Sequence, residues 1–210
     1  SSDVCSSDLG SIKFENAADN STGILVVGGT TGSVTNTGSI TIADDLNPTD
    51  SDNDGDADGV YAHGTGRAGI RLDGGPSAFT GSILNDTAGS ITVDGNQSYG
   101  ILLNQQMVGD LTNKGSIRVV GDGSYGIRTR DDVTGLVTVR GSVNVVGAGS
   151  IGVSLEDTVT GRVTLGGAIV STGFRYTQRD DTARPHLDAD DLLIGGPAVV
   201  IGAKIGRAHV

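Results

Sequence analysis

Three segments of the chain repeat with a period of 26 residues, and this period constrains the fold more than any other feature. Each repeat contains three short apolar strands separated by glycine-rich turns. The first strands occupy residues 89–93, 115–119 and 141–145, the second strands 99–101, 125–127 and 151–153, and the third strands begin at Gly109, Gly135 and Gly161. A fixed period built from short strands is typical of a solenoid in which each repeat stacks on its neighbour.

The alternation of residue types within the strands predicts which side chains form the core. In the first strand of one repeat, Ile91 and Val93 flank Thr92, and Arg118 and Asn144 take the place of Thr92 in the next two repeats. Because successive strand residues point to opposite faces, we expect the aliphatic residues inside and these three polar residues outside. In the second strands we expect the aliphatic residue to point inward and the glycine before it to point outward. The sequence thus predicts an all-β parallel β-helix with a 26-residue, three-strand repeat.

The repeats continue outside the regular region with irregular spacing. Residues 10–14 and 38–42 resemble first strands, but the next first strand after Gly38 begins only at Gly89, 51 residues later. We expect an acidic loop insertion at about 44–58 to account for part of this excess and longer turns for the rest. A polar stretch over 175–191 interrupts the pattern again before an apolar strand at 195–201.

Three asparagines occupy one aligned position just before a repeat begins. Asn36, Asn85 and Asn113 align, whereas Val139 and Leu165 take the position in later repeats. Asparagine at such a position tolerates a left-handed backbone and can bond neighbouring amides. Stacked on successive coils, the three side chains are expected to form a hydrogen-bonded ladder that stops at Val139.

The two ends of the chain differ from its interior. Residues 1–9 and 205–210 back-translate into strings of which the second is the reverse complement of part of the first, and both resemble a translated sequencing adapter. We therefore interpret both ends as adapter-derived and residues 10–204 as a β-helix fragment, with the clearest repeats at 89–166. Cys5 falls in the adapter-like part, so the fragment itself has no cysteine.

The chain is acidic and poor in aromatic residues. Its formal net charge is −11, and aromatic residues make up 3%. Nucleic-acid binding requires a basic surface that neutralises phosphates, so no nucleic-acid partner is expected. The acidity is explained most simply as the solubilising charge of a long repetitive β surface.

The acidic insertion contains the sharpest local motif, an alternation of aspartates resembling the opening of a calcium-binding loop. The candidate ligands are Asp50, Asp52, Asp54, Asp56 and Asp58. Carboxylate oxygens at alternate positions can wrap one Ca²⁺ ion. However, Tyr61 stands at the twelfth position, where a helix-flanked calcium loop has a glutamate, and the motif is closer to the short aspartate loops of thrombospondin type 3 or dockerin repeats. The alternative is a solvated acidic loop without an ion. Calcium is the only cofactor that the sequence suggests.

The units Gly-Ser-Ile-Thr-Val, Tyr-Gly-Ile and Gly-x-Val-Thr resemble the passenger region of bacterial autotransporter proteins, over about 10–204. The resemblance implies a right-handed parallel β-helix, located at the cell surface or outer membrane of a Gram-negative bacterium or secreted from it. It also implies an outer-membrane β-barrel beyond the C-terminal end of the fragment. Expected partners are an extracellular protein or glycan surface, or a second copy. Passengers of this family include adhesins, proteases and esterases, so the resemblance assigns no activity.

Enzymatic alternatives find little support in the residues. A polysaccharide-acting site needs paired carboxylates or a metal with a basic residue, and Arg118 and Arg128 with Asp131 and Asp132 are the nearest candidate cluster. Ordinary surface ion pairing explains the same residues. The histidines outside the adapter-like ends are His63 and His186, and no nucleophile elbow is present. We therefore expect a non-catalytic stalk or adhesive segment. The alternative is an extracellular polysaccharide-acting β-helix enzyme or a phage-tail-like protein.

Overall fold

A computed structural model describes residues 6–7, 10–51, 57–175, 185, 187, 189–202 and 204–209 of the chain. In these residues the chain forms a parallel β-solenoid of about six coils, which confirms the predicted fold class. The strands are β1 (Ser6–Ser7), β2 (Ser11–Phe14), β3 (Thr22–Val26), β4 (Thr31–Asn36), β5 (Ser39–Ile42), β6 (Ala68–Leu72), β7 (Phe79–Asn85), β8 (Ser90–Asp94), β9 (Tyr99–Leu103), β10 (Met107–Val108), β11 (Leu111–Asn113), β12 (Ser116–Val120), β13 (Tyr125–Thr129), β14 (Val133–Thr134), β15 (Val137–Val139), β16 (Ser142–Val146), β17 (Ile151–Leu155), β18 (Val159–Leu165), β19 (Ile169–Thr172), β20 (Val199–Ile201) and β21 (Ile205–His209).

The strands form three parallel sheets along the three sides of the solenoid. Sheet 1 has the order β2-β5-β8-β12-β16-β19, and sheet 2 has the order β3-β6-β9-β13-β17-β20. Sheet 3 contains β1, β4, β7, β10, β11, β14, β15, β18 and β21. Coils are numbered 1 to 6 by their sheet 1 strand. The adapter-like ends contribute β1 and β21 to sheet 3, but the open edge of a sheet accepts any extended segment, so their pairing says nothing about their origin.

The 26-residue period sets the register in which the strands of neighbouring coils pair. Ile117 pairs with Ile91 on one side and with Val143 on the other, each 26 residues away. Like residues therefore lie above like residues, and β-branched side chains, which suit a pleated surface, fill continuous columns. The aliphatic columns of all three sheets meet in one core whose regular members are 0–1% exposed. Burial of each such side chain contributes about 1.5–3 kcal/mol to folding.

The glycines of the second strands face inward, so the predicted outward orientation is wrong. A Cβ atom on Gly100 would lie 2.3 Å from Cγ2 of the core residue Ile117 and 2.5 Å from the carbonyl oxygen of Gly126. The register pairs Tyr99 with Tyr125 and Ile101 with Ile127 and passes over the glycines between them. The strand bends there, because a residue without a side chain lets the core of the adjacent coil approach its backbone.

The asparagine ladder is present and ends where predicted. The amide Nδ2 of Asn36 donates to Oδ1 of Asn85 at 2.8 Å, and Nδ2 of Asn85 donates to Oδ1 of Asn113 at 2.7 Å. All three side chains are buried, and Val139 continues the column as an apolar core residue. None of the three asparagines has a positive φ, so hydrogen bonding rather than left-handed backbone explains their position.

A second ladder was not predicted. Ser98, Ser124 and Ser150 are fully buried at the turn between sheet 1 and sheet 2. The backbone N–H of each serine donates to Oγ of the next at 3.0 Å, from Ser98 to Ser124 and from Ser124 to Ser150. Arg67 occupies the equivalent place one coil earlier and donates its backbone N–H to Oγ of Ser98 at 3.0 Å. The ladder satisfies backbone groups that the turn would otherwise bury without partners.

Two insertions interrupt the regular coils at the same corner. In coils 3 to 5, the turn from sheet 1 to sheet 2 has four residues, as at 95–98. Coil 2 places residues 43–67 at this corner, and coil 6 places residues 173–198 there. The first insertion extends beyond the 44–58 expected from the sequence, because the turn up to Arg67 also leaves the coil path.

Candidate functional site

The two insertions leave the same corner of the solenoid and meet above the coils between them. Coils 2 and 6 are separated by four strand spacings, or about 19 Å at ~4.8 Å each. Even so, the phenolic hydroxyl of Tyr61 in the first insertion donates to the carbonyl oxygen of Gly173 in the second at 2.7 Å. We refer to the described residues of 43–67 and 173–198 as the arch.

Arg175 is the main cross-link of the arch. Its guanidinium donates to the carbonyl oxygens of Gly59 at 3.0 Å and Val60 at 2.7 Å, and it lies 4.3 Å from the centre of the Tyr61 ring. It also forms a salt bridge with Asp190 at 3.3 Å, and Asp190 in turn accepts the backbone N–H of Gly59 at 2.8 Å. One cation thus satisfies carbonyl groups of one insertion and a carboxylate of the other, which fixes the two insertions together.

A half-enclosed cavity of about 310 Å³ lies between the arch and the outer face of sheet 1. It is lined by Asp44, Leu46, Pro48, Ala57, Tyr61, Asp94, Arg118, Val120, Val146 and Arg175. Asp94, Val120 and Val146 lie side by side on coils 3, 4 and 5 and form its floor. The volume is at the lower end of the range that small-molecule sites occupy.

A buried ion pair anchors the first insertion. Nη1 of Arg67 lies 2.6 Å from Oδ2 of Asp44, and both side chains are only 4% exposed. Arg67 also donates to the carbonyl oxygens of Ala17 and, at 2.6 Å, of Asp94, so it joins coils 1, 2 and 3. Burial opposes ionisation of Asp44, but hydrogen bonds from the N–H groups of Gly64 and His63 and from Arg67 outweigh it and hold the pKa of Asp44 well below its usual range.

The second carboxylate of the cavity is shifted in the opposite direction. Burial raises the pKa of Asp94, and the positive charge of Arg118 and a hydrogen bond from the Asp44 backbone only partly offset this effect. Arg118 itself is exposed and points outward from β12 into the cavity, as its place in the alternation predicted. Two carboxyl groups whose pKa values are shifted in opposite directions within one cavity occur in functional sites as well as in structural ion-pair networks.

The predicted calcium loop is only partly described. Asp52, Asp54 and Asp56 lie outside the described residues, and Asp50 is exposed. Asp58 accepts hydrogen bonds from the backbone and hydroxyl of Ser51, so its carboxylate closes the loop. The calcium site therefore stays a prediction.

Within the part of the chain that the structure describes, two other groups of side chains place acidic or histidine ligand atoms within reach of one another. They are Asp44, Asp45 and His63, and Asp131, Asp132 and Asp157. In the first group Arg67 already neutralises Asp44. In the second group, backbone N–H groups of Asp132 and Thr158 donate to the carboxylates. His63 is an exposed turn residue whose Nδ1 lies 3.0 Å from Asp45, in keeping with a structural role.

The structure does not bring together the cluster proposed around Arg118 and Arg128. Arg118 lies on sheet 1, whereas Arg128 lies on sheet 2 and bonds Glu156 at 2.7 and 3.1 Å. Arg128 also covers the ring of Tyr125, which stacks on Tyr99 with 5.7 Å between ring centres. A polysaccharide-acting site at Arg118, Arg128, Asp131 and Asp132 is therefore not formed, because these residues belong to different faces.

A wider groove of about 580 Å³ lies on sheet 3. Its walls include three threonines of coils 4 and 5 together with Arg140 and Arg162. Gly206 closes one side, so the groove depends on a segment with adapter-like sequence. We therefore regard the cavity beneath the arch as the better candidate site.

Comparison with known proteins adds no assignment: no protein-family model, curated protein or solved structure matches the chain. Among the described residues, no helix is long and apolar enough to span a membrane.

The residues that define the cavity were largely missed from the sequence. Asp44 was recognised only as the start of an insertion, and Arg118 as an outward residue and as part of a different candidate cluster. Arg67, Asp94 and Arg175 were not singled out as site residues. The 26-residue alignment offered one indication of the buried ion pair. Arg67 stands at the aligned position that serines occupy in later coils, and a charged residue at a buried turn position indicates a specific partner.

Proposed function

We propose that this chain is a non-catalytic segment of a bacterial surface protein of the autotransporter passenger kind. It acts as a rigid spacer and presents an outer surface for adhesion or self-association. The segment belongs at the cell surface or outer membrane or in the secreted fraction, and its partners are an extracellular protein, a glycan surface or a second copy of the chain. Calcium binding by the acidic insertion is compatible with this function but is not required for it.

The observation that carries the proposal is the uninterrupted stack of coils. Each coil pairs along all three sheets with its neighbours, and the core and both ladders run through several coils. Outside the arch, each coil pairs through its strands with its immediate neighbours, so the length of the rod grows by one strand spacing per coil while its outward residues are free to vary. A long rod with a variable surface suits spacing and adhesion. The acidic charge suits a surface that has to stay soluble.

Antibody labelling of bacteria that produce the parent protein tests the proposal directly. We expect an antibody against this chain to label intact cells or to detect the chain in the medium. Labelling only after permeabilisation would overturn the proposal. Deletion of residues 89–166, which removes three whole coils in register, separates the two roles. Loss of attachment to host matrix or glycans identifies an adhesive segment, and unchanged attachment identifies a spacer.

A polysaccharide-acting enzyme is the alternative, and one observation favours it. Asp44 and Asp94 line one cavity with pKa values shifted in opposite directions, as in many acid–base pairs. Against this role, four N–H donors already occupy the carboxylate of Asp44, and Tyr61 is covered by Arg175 rather than open for sugar stacking. Incubation with neutral and acidic polysaccharides, followed by an assay for new reducing ends, discriminates the two. Release that is lost in Asp94→Asn would establish the enzyme.

A further inference from the structure

The cavity beneath the arch contains two charged side chains whose hydrogen-bonding capacity is only partly taken up by other residues of the structure. Arg175 is engaged by Asp190 and by backbone carbonyls, and Asp44 is engaged by Arg67 and by backbone N–H groups. Arg118 and Asp94 differ from them. Both have spare hydrogen-bonding capacity, and both line the same half-enclosed space.

Arg118 offers a complete guanidinium group. The side chain is exposed and lines the cavity, its charge acts on Asp94, and it forms no hydrogen bond or salt bridge with any residue that the structure describes. A guanidinium has five N–H donors in a planar fork that matches a carboxylate with two parallel hydrogen bonds. Arg118 is therefore suited to receive a carboxylate that enters the cavity.

Asp94 offers the complementary group. Its side chain is half-buried on the neighbouring coil, and the backbone N–H of Asp44 is its hydrogen-bond donor. A carboxylate has about four acceptor positions, so it can accept further N–H groups from a ligand. Arg67 lies behind Asp94 but uses the Asp94 carbonyl oxygen rather than its carboxylate.

The remaining wall is aliphatic. Val120 and Val146 continue the floor from Asp94, and Leu46 and Pro48 approach from the first insertion. A ligand that touches this wall gains about 25 cal/mol for each Å² of apolar surface removed from water. The cavity thus presents a cation, an anion and an apolar wall within one space.

We propose that the cavity binds a small dipolar ion, namely a free α-amino acid with an aliphatic side chain. Its carboxylate pairs with Arg118, its ammonium group pairs with Asp94, and its side chain packs on Val120 and Val146. An aliphatic amino acid fits a volume of about 310 Å³. This binding site goes beyond spacing and adhesion and does not depend on them.

The charges of the site select against the simpler alternatives. An anion without an ammonium group leaves Asp94 without its ligand partner and approaches a chain of net charge −11. A cation without a carboxylate leaves Arg118 unpaired beside a second positive charge. In each case a polar group is desolvated without compensation, which disfavours binding.

Isothermal titration calorimetry with L-leucine as the probe tests the proposal. We expect binding with a dissociation constant of about 1 mM or lower, since few groups are engaged. The matched analogues are 4-methylpentanoate, which lacks the ammonium group, and 3-methylbutylamine, which lacks the carboxylate. Each should bind about tenfold more weakly or worse, because one charged pair is lost.

Substitutions place the binding in this cavity. Arg118→Gln and Asp94→Asn should each weaken leucine binding about tenfold or more. Arg140→Gln, at an exposed arginine just after β15, should leave leucine binding unchanged. Circular dichroism of each variant verifies the fold, since neither cavity side chain is part of the core.

Three results would overturn the proposal. The first is the absence of heat and of NMR shift changes at Val120 and Val146 with leucine at about 10 mM, roughly ten times the weakest expected dissociation constant. The second is equal affinity for leucine and for its two analogues. The third is undiminished binding by a folded Arg118→Gln variant. None of these results bears on surface exposure of the chain, so the two proposals fail separately.

Discussion

The side chain of Arg67 links three coils of the solenoid. Arg67 is 3% exposed, and its side chain joins Asp44 to carbonyl groups of coils 1 and 3. Its backbone N–H begins the serine ladder. Buried ion pairs add little net stability compared with apolar packing, but removal of one partner leaves an uncompensated charge.

Substitution of Arg67 should therefore be costly. We expect Arg67→Met to lower the free energy of unfolding by about 3–5 kcal/mol, because Asp44 stays buried without its cation. Arg130→Met, at an exposed arginine of the turn after β13, should change it by less than about 0.5 kcal/mol. Urea unfolding followed by circular dichroism measures both. Equal losses in the two variants would show that the ion pair does not anchor the insertion.

The two cavity carboxylates should give opposite pH dependences of stability. The pKa of Asp44 is lowered by folding, so its stabilising contribution is present above the unfolded-state pKa of about 3.9 and is lost as pH falls. The pKa of Asp94 is raised, so its contribution is present below about pH 3.9 and is lost as pH rises through the folded-state pKa.

Melting temperatures measured from pH 3 to 7 check this prediction. Relative to the parent chain, Asp44→Asn should be most destabilising at pH 7 and less so at pH 3. Asp94→Asn should become more favourable relative to the parent chain as pH rises over the same range. Parallel curves for both variants would contradict the assigned directions.

Thr129 is an imperfect member of a core column. It stacks between Leu103 and Leu155, is fully buried, and its hydroxyl has no hydrogen-bond partner among the described groups. A buried hydroxyl without a partner costs about 1–3 kcal/mol. Thr129→Val should therefore raise the free energy of unfolding by about 1 kcal/mol. Thr138→Val on the half-buried outer face of sheet 3 is the control, with no gain expected, and a loss in Thr129→Val would contradict the account.

At the scale of the strand, the glycine bend of sheet 2 is the feature most open to test. A Cβ atom on Gly126 would lie 2.2 Å from Cγ1 of Val143 and 2.6 Å from the carbonyl oxygen of Gly152. Gly126→Ala should lower the free energy of unfolding by about 1–3 kcal/mol, because the adjacent coils have to move apart. In Gly166→Ala the new methyl group meets no atom within 4 Å, so no comparable loss is expected. Similar melting temperatures for both variants would show that Gly126 is not needed for the close approach of the adjacent coils.

The strands were predictable because every coil repeats the same local pattern. The 26-residue spacing of Ile91, Ile117 and Val143 predicts the register between coils, and the alignment of the asparagines predicts the ladder. The inward glycines were not predictable from alternation alone, because a bend shifts the phase of the strand within three residues. The serine ladder was available in the 26-residue spacing of Ser98, Ser124 and Ser150, but small polar residues at turns are ordinarily solvated.

At the scale of the whole molecule, the arch lies beyond sequence periodicity. Tyr61 and Gly173 are 112 residues apart and belong to two insertions that share no sequence pattern. The two residues meet because the stacked coils hold both insertions at the same corner of the solenoid, at the fixed separation between coils 2 and 6. Asp94 and Arg118 are likewise ordinary outward residues until the arch encloses them. The candidate site is thus a product of the solenoid geometry and not of any local motif.

Deletion of one whole repeat tests the central claim that 26 residues form one coil. Removal of residues 115–140 should leave a folded, cooperative solenoid in which coil 3 stacks directly on coil 5. Small-angle scattering should then give a rod shorter by about one strand spacing, ~4.8 Å. Removal of residues 115–127, half a repeat, should abolish cooperative unfolding because sheet 1 would face sheet 2 across the cut. If both deletions were tolerated equally, or both destroyed the fold, the stacked-coil account would be wrong.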